Sequence, residues 1–421
     1  MAELTFLGSC REIGRSGFLL TVDGESLLVD YGVKFQDNPL FPARLDTDDL
    51  QGVVLTHAYL DHSGAIPLLL NDEDLSLFCT PATSDLSSLL IEDMFSLSGG
   101  RLPFDREDIS RVRTQCQFLR YGETVSLGRK FEVTLFNAGH IPGSAMVSVK
   151  YNGKRILFTG DFNTIETRLS QAASRDLPSH DYVVTEATYA RQRYPARDEI
   201  EQGLLRTVVE TMQRGGSVLI PAFAVGRSQE ILCVLAKHGI MSKYPVYVDG
   251  MARHANEILL HHPESLRAPQ EFEQAVRQVR VISTDQDRID AIRGGSIIVS
   301  PAGMLKGGAS FSYFKMMHGD SRHALVMVSF QVPGTPGAEL LAHRRVTVAN
   351  RTYNVSADVC LHHLSSHSDS RGLMDMLLSQ TGNPTFYIVH AESDSCEALA
   401  QELKSKGKMA YIPERNESVE V

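Results

Sequence analysis

The sequence predicts an α/β protein in which one domain is interrupted by a second, inserted domain. Before residue 190, short apolar runs end in polar clusters, as in "FEVTLFNAGH", "RILFTGDFN" and "DYVVTEATYA". From about residue 190, helical segments alternate with buried runs such as "SVLIPAF", which indicates a parallel sheet with crossover helices. After residue 350 the early pattern returns in "YNVSADVCLHHLSSHSD" and "TFYIVHAES". We therefore predict domains at 1–189, 190–350 and 351–421, the first and last segments forming one domain.

The individual elements follow from local patterns. "FLLTVDGESLLVDYG" contains two apolar runs joined by Asp23-Gly24, which predicts a hairpin. In the inserted part, "RDEIEQGLLRTVVETMQRGG" has helical spacing and ends at a glycine pair, and "GRSQEILCVLAKHG" is a helix that begins at a glycine-rich turn. "VYVDG", "SIIVSPAGML" and "ALVMVSF" contain further strands, and "SRGLMDMLLSQTG" is a helix before the strand of "TFYIVHAES". Several strands deliver Asp, His or Glu at their carboxyl ends, where sheet proteins tend to place their chemistry.

Composition restricts the class of protein. The 421 residues are 43% hydrophobic and 22% charged, which is typical of a globular protein of two or three domains. The formal net charge is −10, so the whole surface is not suited to binding nucleic acid. Any binding of a polyanion must therefore use a local groove or a bound cation.

The cysteines and the apolar runs predict a cytoplasmic protein. No Cys-x-x-Cys pair occurs, which argues against a disulfide framework and a thiolate metal site and favours a reducing compartment. The first residues, "MAELTFLGSC", do not resemble a secretory signal, and no apolar run approaches the length of a membrane span. The single cysteines are Cys10, Cys79, Cys116, Cys233, Cys360 and Cys396.

The stretch "LTHAYLDHSG" places His57, Asp61 and His62 on one short loop after a buried run. Imidazole and carboxylate together are the ligands of hydrolytic zinc or manganese sites. The loop can direct His57 to one point and the other two side chains to another, which predicts a pair of metal ions. Three further candidates each follow an apolar run, namely His140, Asp161 and His390.

These motifs resemble those of a known family. "THAYLDHSG", "AGHIPGSA" and "FTGDF" are similar to the metal motifs of the metallo-β-lactamase fold. "TEATY", "VLIPAFAVGRSQE", "SPAGMLKGG", "SSHSD" and "VHAES" resemble the motifs of its β-CASP nuclease branch, which includes the polyadenylation endonuclease subunit, its archaeal relatives and ribonuclease J. The resemblance covers nearly the whole chain in the right order. It implies a metallo-β-lactamase αββα sandwich interrupted by an inserted α/β β-CASP domain, a fold that some schemes class as α+β.

The resemblance also implies a ligand set for two zinc ions per chain, with manganese as an alternative. It makes His57 and His140 ligands of the first ion, gives the second to Asp61, His62 and His390, and makes Asp161 the bridging carboxylate. Asp30, in "LLVDYG", matches an aspartate that orients the ligand loop.

The implied reaction is hydrolysis of RNA by a metal-activated water in a cleft between the two domains. Glu186 and His367 match an acid/base pair beside the metals, and Asp61 is the third catalytic residue. His367 would protonate the leaving oxygen, and Glu186 would set the charge and orientation of that imidazole.

Tyr59 departs from the family pattern, which has a histidine ligand of the first metal at this position. A neutral phenol is a poor ligand because its ordinary pKa is about 10. Either Tyr59 binds the metal as phenolate, or the first site is weakened.

Two turns of small residues predict contacts with phosphate. "IPAFAVGRSQE" places Arg227 and backbone N–H groups at the start of a helix, an arrangement that suits phosphate. "SPAGMLKGG" offers Ser300, Gly303 and Lys306 on a second turn. Both groups could line a cationic wall that binds single-stranded RNA. Arg227 and Lys306 could equally be solvated surface charges.

"HHLSSH" contains His363 and Ser365 in a pattern similar to ribonuclease J, where such residues help to hold a terminal phosphate. This resemblance favours 5′-to-3′ exonuclease action over endonuclease action. A structural hydrogen-bonding role for both residues is the alternative.

Two other functions stay open at this point. Tyr59 would fit a catalytically weakened RNA-binding or scaffold subunit of an RNA-processing complex. A small-molecule hydrolase of the same fold is a third hypothesis. The insertion argues against it, because its turns suit phosphate binding and a small substrate needs no second wall of this kind. A homodimer and RNA-processing protein partners are expected from the family, and binding to a membrane is not.

Overall fold

The computed structural model describes residues 1–34, 39–70, 75–332 and 334–421. Its strands are β1 (Ala2–Phe6), β2 (Gly17–Val22), β3 (Glu25–Tyr31), β4 (Leu50–Val54), β5 (Leu77–Cys79), β6 (Cys116–Phe118), β7 (Thr124–Leu127), β8 (Phe131–Asn137), β9 (Ala145–Tyr151), β10 (Lys154–Phe158), β11 (Tyr182–Glu186), β12 (Val218–Pro221), β13 (Val246–Val248), β14 (Arg280–Val281), β15 (Ile297–Ser300), β16 (Ala324–Met327), β17 (Arg345–Val348), β18 (Arg351–Asn354), β19 (Asp358–Leu361), β20 (Thr385–Val389), β21 (Met409–Tyr411) and β22 (Ser418–Glu420). Its α-helices are α1 (Leu60–Ser63), α2 (Pro81–Ser98), α3 (Arg106–Thr114), α4 (Arg197–Gln213), α5 (Arg227–Lys237), α6 (Ala252–His261), α7 (Pro269–Arg277), α8 (Asp285–Arg293), α9 (Gly308–Met317), α10 (Pro336–His343), α11 (Ser370–Leu378) and α12 (Ser393–Ser405), with short 3₁₀ helices at Ile66–Leu68 and Pro263–Ser265.

The chain forms two compact units. The first unit consists of Met1–Glu166, Ser170–Arg193 and His367–Val421, and the second consists of Thr167–Leu169 and Tyr194–Ser366. The return to the first unit therefore occurs at His367, later than the predicted 351. The reason is β19, which pairs in parallel with β16 and so extends the sheet of the second unit.

The first unit is a sandwich of two seven-stranded sheets. One sheet has the order β22-β1-β2-β3-β4-β5-β6, and the other has the order β21-β20-β11-β10-β9-β8-β7. Aromatic side chains from both sheets meet in the core between them: the Phe18 and Phe158 rings stack with centroids 6.0 Å apart, and Phe6 lies 5.5 Å from Tyr387. This apolar layer holds the two sheets face to face.

Helices cover the outer faces of the sandwich. Apolar residues of α2 and α3, such as Ile91 and Val112, pack on the outer face of the first sheet, and residues of α11 and α12, such as Leu377 and Leu399, pack on that of the second. The four layers are therefore helix, sheet, sheet and helix, which confirms the predicted αββα sandwich.

The second unit is built on a six-stranded parallel sheet of order β14-β13-β15-β12-β16-β19. The hairpin β17-β18 is a separate two-stranded sheet, and it lies between β16 and β19 in the chain. Alternate residues of the central strand β12 enter different cores: Val218 and Ile220 pack with α4 and α5, and Leu219 packs with residues of α9. Helices thus lie on both faces, as the alternation of strands and helices predicts. None of the helices in the described ranges is long and apolar enough to span a membrane.

Candidate metal centre

The first unit gathers the candidate metal ligands on loops that follow its strands. His57 lies after β4, and α1 begins at Leu60, so that Asp61 and His62 occupy its first turn. The backbone at Gly32, just after β3, passes so close to α1 that a Cβ atom there would lie 1.8 Å from the Asp61 carbonyl oxygen. Only glycine allows this approach, and the approach fixes α1 against the end of the sheet.

The first group of possible ligands consists of His57, His140 and Asp161, all buried. Their ligand atoms lie within 4.8 Å of one another. The Asp161 Oδ2 atom is 3.7 Å from His57 Nε2 and 3.8 Å from His140 Nε2. The three side chains therefore converge on one point.

The second group consists of His62, Asp161 and His390, also buried. The His62 and His390 Nε2 atoms are 3.1 Å apart, and Asp161 Oδ1 is 3.6 Å from His62 Nε2. Asp61 joins this group through its Oδ2 atom, 3.2 Å from His390 Nε2. Asp161 belongs to both groups, with one carboxylate oxygen turned toward each.

The two groups fit divalent cations. Ligand atoms bound tetrahedrally to zinc lie about 3.3 Å apart, close to the distances between these nitrogen and oxygen atoms. The Nε2 atom of His57 is buried and has no hydrogen-bond partner among the described residues, which is costly unless a cation takes its lone pair. Burial also lowers the pKa of His57 well below its ordinary value, so that the ring is neutral and able to bind a metal.

Carboxylates control the charge of the second group. Burial opposes the charged form of His390, yet the carboxylates of Asp161 and Asp61 raise its pKa to about 10. A bound cation would displace that proton. Burial alone would raise the pKa of Asp61, but a hydrogen bond from His390 and the charge of His62 lower it below the ordinary value.

Asp30 fixes the loop that carries His57 and His62 by hydrogen bonds on the side away from the ligand atoms. Its carboxylate accepts hydrogen bonds from the Thr56 backbone N–H and hydroxyl, both at 2.8 Å, and from His62 Nδ1 at 2.6 Å. A carboxylate on the second nitrogen of a metal-binding histidine is the usual outer partner in such sites. Asp30 and His390 both adopt left-handed backbone conformations, with φ of 59° and 53°, which is uncommon for residues other than glycine. Sequence reasoning missed Thr56, although its position directly before His57 was a usable signal.

Tyr59 lies beside the first group. It is half-buried at the N-cap position of α1, and its ring meets those of His57 and His140 edge-on, with centroid distances of 5.4 and 5.2 Å. The phenol is therefore packed against the two histidines of the first group.

Glu186 and His367 form a hydrogen-bonded pair next to the ligands. His367 Nδ1 lies 3.1 Å from both carboxylate oxygens of Glu186, and Glu186 Oε1 also accepts the Phe162 N–H at 2.9 Å. The other ring nitrogen, Nε2, lies 3.9 Å from Asp161 Oδ2. Burial opposes protonation of His367, but Glu186 and Asp161 raise its pKa, and the histidine in turn lowers the pKa of buried Glu186 to about 2.

The candidate phosphate-binding residues belong to the second unit and follow the carboxyl ends of its parallel strands. Arg227 begins α5 after β12, and its Nη2 atom donates to Ser366 Oγ at 3.1 Å. The arginine is buried, not a solvated surface charge. Ser300 ends the neighbouring strand β15, also buried, and its hydroxyl donates to the Pro301 carbonyl at 3.1 Å.

The remaining candidates differ in exposure. The turn at Gly303 packs against the turn after β12, since a Cβ atom there would lie 3.2 Å from Ala222, whereas Lys306 is exposed.

His363 follows β19 and stacks on Tyr194, with centroids 5.0 Å apart. Burial and the positive charge of Arg227 lower the pKa of His363, so its ring is neutral. Ser365 lies nearby in the chain and is half-buried. Ser366 and Tyr194 were not predicted: Ser366 lies within the quoted motif "SSHSD", which was the usable signal, whereas Tyr194 stands in no recognisable motif.

Comparison with known families gives three matches along the chain. Residues 228–340 match the family model of the Beta-Casp domain, and residues 352–413 match that of the Zn-dependent metallo-hydrolase RNA specificity domain. Residues 3–192 match the model of Anti-Pycsar protein Apyc1.

Individual proteins are similar over almost the whole chain. RNase aCSPSF2 of Saccharolobus solfataricus is 34% identical over 99% of this chain and 85% of its own length. The protein named "Probable RNase MJ4" of Methanocaldococcus jannaschii is 31% identical over 100% of both chains. Transcription termination factor FttA of Thermococcus kodakarensis is 34% identical over 96% of this chain and 69% of its own. A solved structure of a protein of unknown function from Enterococcus faecalis V583 has a TM-score of 0.64 at 14% identity over 99% of both chains, a likeness in fold alone.

Proposed function

Because the chain belongs to the β-CASP family of metallo-β-lactamase-fold ribonucleases, we propose that it is a metal-dependent hydrolase that cleaves phosphodiester bonds of single-stranded RNA. The observation that carries this proposal is the pair of buried ligand groups that share Asp161. Two groups with a common carboxylate are the arrangement of hydrolases that act on phosphoryl groups with paired cations.

The proposed ions are zinc, two per chain, with manganese as the alternative. His57, His140 and Asp161 would hold the first ion, and Asp61, His62, His390 and Asp161 the second. When bound, such cations polarise the phosphodiester and make water acidic enough to act as a nucleophile near neutral pH. Asp61 is proposed as catalytic because its carboxylate belongs to the ligand set, 3.2 Å from His390 Nε2.

His367 is the proposed general acid. The Glu186 carboxylate accepts the Nδ1 proton, which fixes the ring so that Nε2 is directed toward the side of Asp161. A proton on Nε2 is then available for the leaving oxygen of the RNA, and the charge of Glu186 raises the pKa of His367, which favours the protonated ring. Glu186 acts through His367 as a positioning residue.

We propose that Arg227, Ser300, Gly303, Lys306, His363 and Ser365 contact RNA phosphates, and that 5′-to-3′ exonuclease action is favoured over endonuclease action. The support is their position after the carboxyl ends of β12, β15 and β19, where parallel sheets commonly bind ligands. The location of RNA in a cleft between the two domains stays a prediction, as do a homodimer and RNA-processing protein partners.

End-labelled RNA carrying a 5′-triphosphate, a 5′-monophosphate or a 5′-hydroxyl tests the mode of cleavage. Mononucleotides released stepwise from the monophosphate end would support exonuclease action, and discrete internal fragments would show endonuclease action. Absence of cleavage of all three RNAs, with metal bound, would favour the alternative function, a catalytically weakened RNA-binding or scaffold subunit. The observation that supports this alternative is the contact of Tyr59, in place of a histidine ligand, with His57 and His140.

A further inference from the structure

Two thiols of the first unit are in contact, although 37 positions separate them in the chain. Cys79 Sγ lies 3.4 Å from Cys116 Sγ. The contact arises because β5 and β6 are neighbouring parallel strands, with Leu77 opposite Cys116. Cys79 is two residues beyond Leu77, so that its side chain lies on the same face of the sheet as that of Cys116.

We propose that Cys79 and Cys116 are a redox modification site, at which a peroxide converts the two thiols into an intrachain disulfide. A disulfide bond is about 2.05 Å long, so the sulfur atoms need to approach by only about 1.4 Å. The strand β6 contains three residues and lies at the edge of its sheet, and among the described strands it pairs with β5. An edge strand of this length can make such a shift without moving the rest of the sheet.

The two thiols have different surroundings, which assigns a role to each. Cys116 is half-buried, whereas Cys79 is fully buried. The contact with the Cys79 side chain lowers the pKa of Cys116 despite its burial. Cys116, the more accessible of the two thiols, is therefore the one that meets the oxidant, and Cys79 is the resolving thiol.

The reaction balances with hydrogen peroxide as the oxidant. The Cys116 thiolate attacks one peroxide oxygen, the O–O bond breaks, and the departing hydroxide takes up a proton to become water, which leaves a sulfenic acid. The Cys79 sulfur then attacks the sulfenic sulfur, the S–O bond breaks, and the released hydroxide leaves as water with the Cys79 proton. Two thiols are oxidised and one peroxide is reduced to two waters. A thiol reductant reverses the change, which is consistent with a reducing compartment.

The bond would restrain a part of the fold that leads to the metal ligands. It would close a loop that contains α2 and α3. Thr80, the residue after Cys79, caps α2 and donates its hydroxyl to the Gly143 carbonyl at 2.7 Å, in the loop that carries His140. We expect the oxidised chain to unfold at a higher urea concentration than the reduced chain, because the cross-link constrains the unfolded state.

The test uses the full chain, treated with hydrogen peroxide, alkylated under denaturing conditions, digested without reductant and analysed by mass spectrometry. The expected result is two fewer alkylated cysteines and a peptide pair joined through Cys79 and Cys116 that separates on reduction. A chain in which all six thiols remain alkylatable, or in which other cysteines are joined, would overturn the proposal.

Three variants make the assignment specific. Cys79→Ser should leave a sulfenic acid at Cys116 that a dimedone probe captures, and Cys116→Ser should give neither the probe adduct nor the joined peptides. Cys360→Ser is the matched control, since Cys360 is another half-buried thiol, and it should cross-link as the wild type does. Capture of the sulfenic acid at Cys79 in Cys116→Ser would contradict the assigned roles.

Discussion

At the scale of single residues, His367 combines two features that a general acid requires. One ring nitrogen is fixed by both oxygens of Glu186 at 3.1 Å, and the other lies 3.9 Å from Asp161 Oδ2. Asp161, Glu186 and His367 also lie close enough together to hold an ion. In the proposed assignment, however, His367 is outside the two ligand groups, so its loss should separate chemistry from metal binding.

We predict that His367→Ala slows RNA cleavage by about 10²–10⁴-fold, the usual contribution of a positioned acid, with the metal content unchanged. Single-turnover cleavage rates and elemental analysis of the same samples measure both quantities. His254→Ala, at an exposed histidine, is the matched control and should cleave as the wild type does. Loss of metal from His367→Ala would contradict the acid role.

Tyr59 is the residue at which this chain departs from the family pattern, and its ring contacts both histidines proposed as ligands of the first ion. We predict that Tyr59→His retains more metal per chain than the wild type after dialysis against a weak chelator, because an imidazole is a better ligand than a neutral phenol. Tyr59→Phe keeps the ring and removes the hydroxyl, so it should retain as much as the wild type. If Tyr59→Phe loses metal, the phenol oxygen is itself a ligand.

At the scale of elements, the position of the short helix α1, which carries Asp61 and His62, depends on the close approach of Gly32, the residue after β3. A Cβ atom at Gly32 would lie 2.4 Å from the His62 backbone nitrogen as well as 1.8 Å from the Asp61 oxygen. The sheet and the helix therefore cannot keep their positions if this glycine gains a side chain.

We predict that Gly32→Ala lowers the free energy of unfolding by at least about 2 kcal/mol, since overpacking against backbone atoms forces a shift. The same shift should reduce metal retention through Asp61 and His62. Urea unfolding and elemental analysis provide the two measurements. Gly319→Ala is the control, because no atom of the described residues lies within 4 Å of a Cβ atom there, and it should change stability by less than about 0.5 kcal/mol. Equal stability of the two variants would contradict the close approach.

A buried histidine links β9 to the segment before β20. His180 Nε2 lies 2.9 Å from Ser148 Oγ, and Nδ1 lies 3.4 Å from Gln380 Oε1. Burial lowers the pKa of His180 from 6.5 to about 4, with the nearby charge of Arg155 in the same direction and hydrogen bonding to Gln380 and the charge of Asp181 opposing it. The neutral ring is therefore the form that the fold accommodates.

This shift predicts a dependence of stability on pH. Because the folded pKa lies below the unfolded one, the stabilisation is complete above pH 6.5 and is lost as the pH falls toward 4, on the order of 3 kcal/mol. His180→Gln should be less sensitive to pH over this window in urea unfolding at fixed metal concentration, and the exposed-site control His254→Gln should follow the wild type. An unchanged pH dependence in His180→Gln would contradict the assignment.

At the scale of the whole molecule, the sequence predicted what its motifs encode. The convergence of His57, Asp61 and His62 was visible because three ligands lie on one loop, and the sandwich followed from a recognisable order of motifs. The end of the inserted unit was not predicted correctly. Its last strand, β19, is the short segment "DVCL", and the partner strand β16 lies far away in the chain. The contact between Cys79 and Cys116 could not be predicted from the sequence either, since it depends on the pairing of β5 with β6.

The central claim is that side chains from six positions of the first unit form one metal centre on which RNA cleavage depends, and Asp161 is the residue common to both ligand groups. Metal per chain, measured by elemental analysis alongside cleavage of labelled RNA, tests it most directly in the wild type, in Asp161→Asn and in the exposed-site control Asp48→Asn. We predict at least one bound divalent ion and active wild-type and Asp48→Asn proteins, with loss of metal and at least about 10³-fold slower cleavage in Asp161→Asn. A wild-type chain that cleaves RNA without bound metal, or an Asp161→Asn chain that keeps its metal and its rate, would contradict the claim.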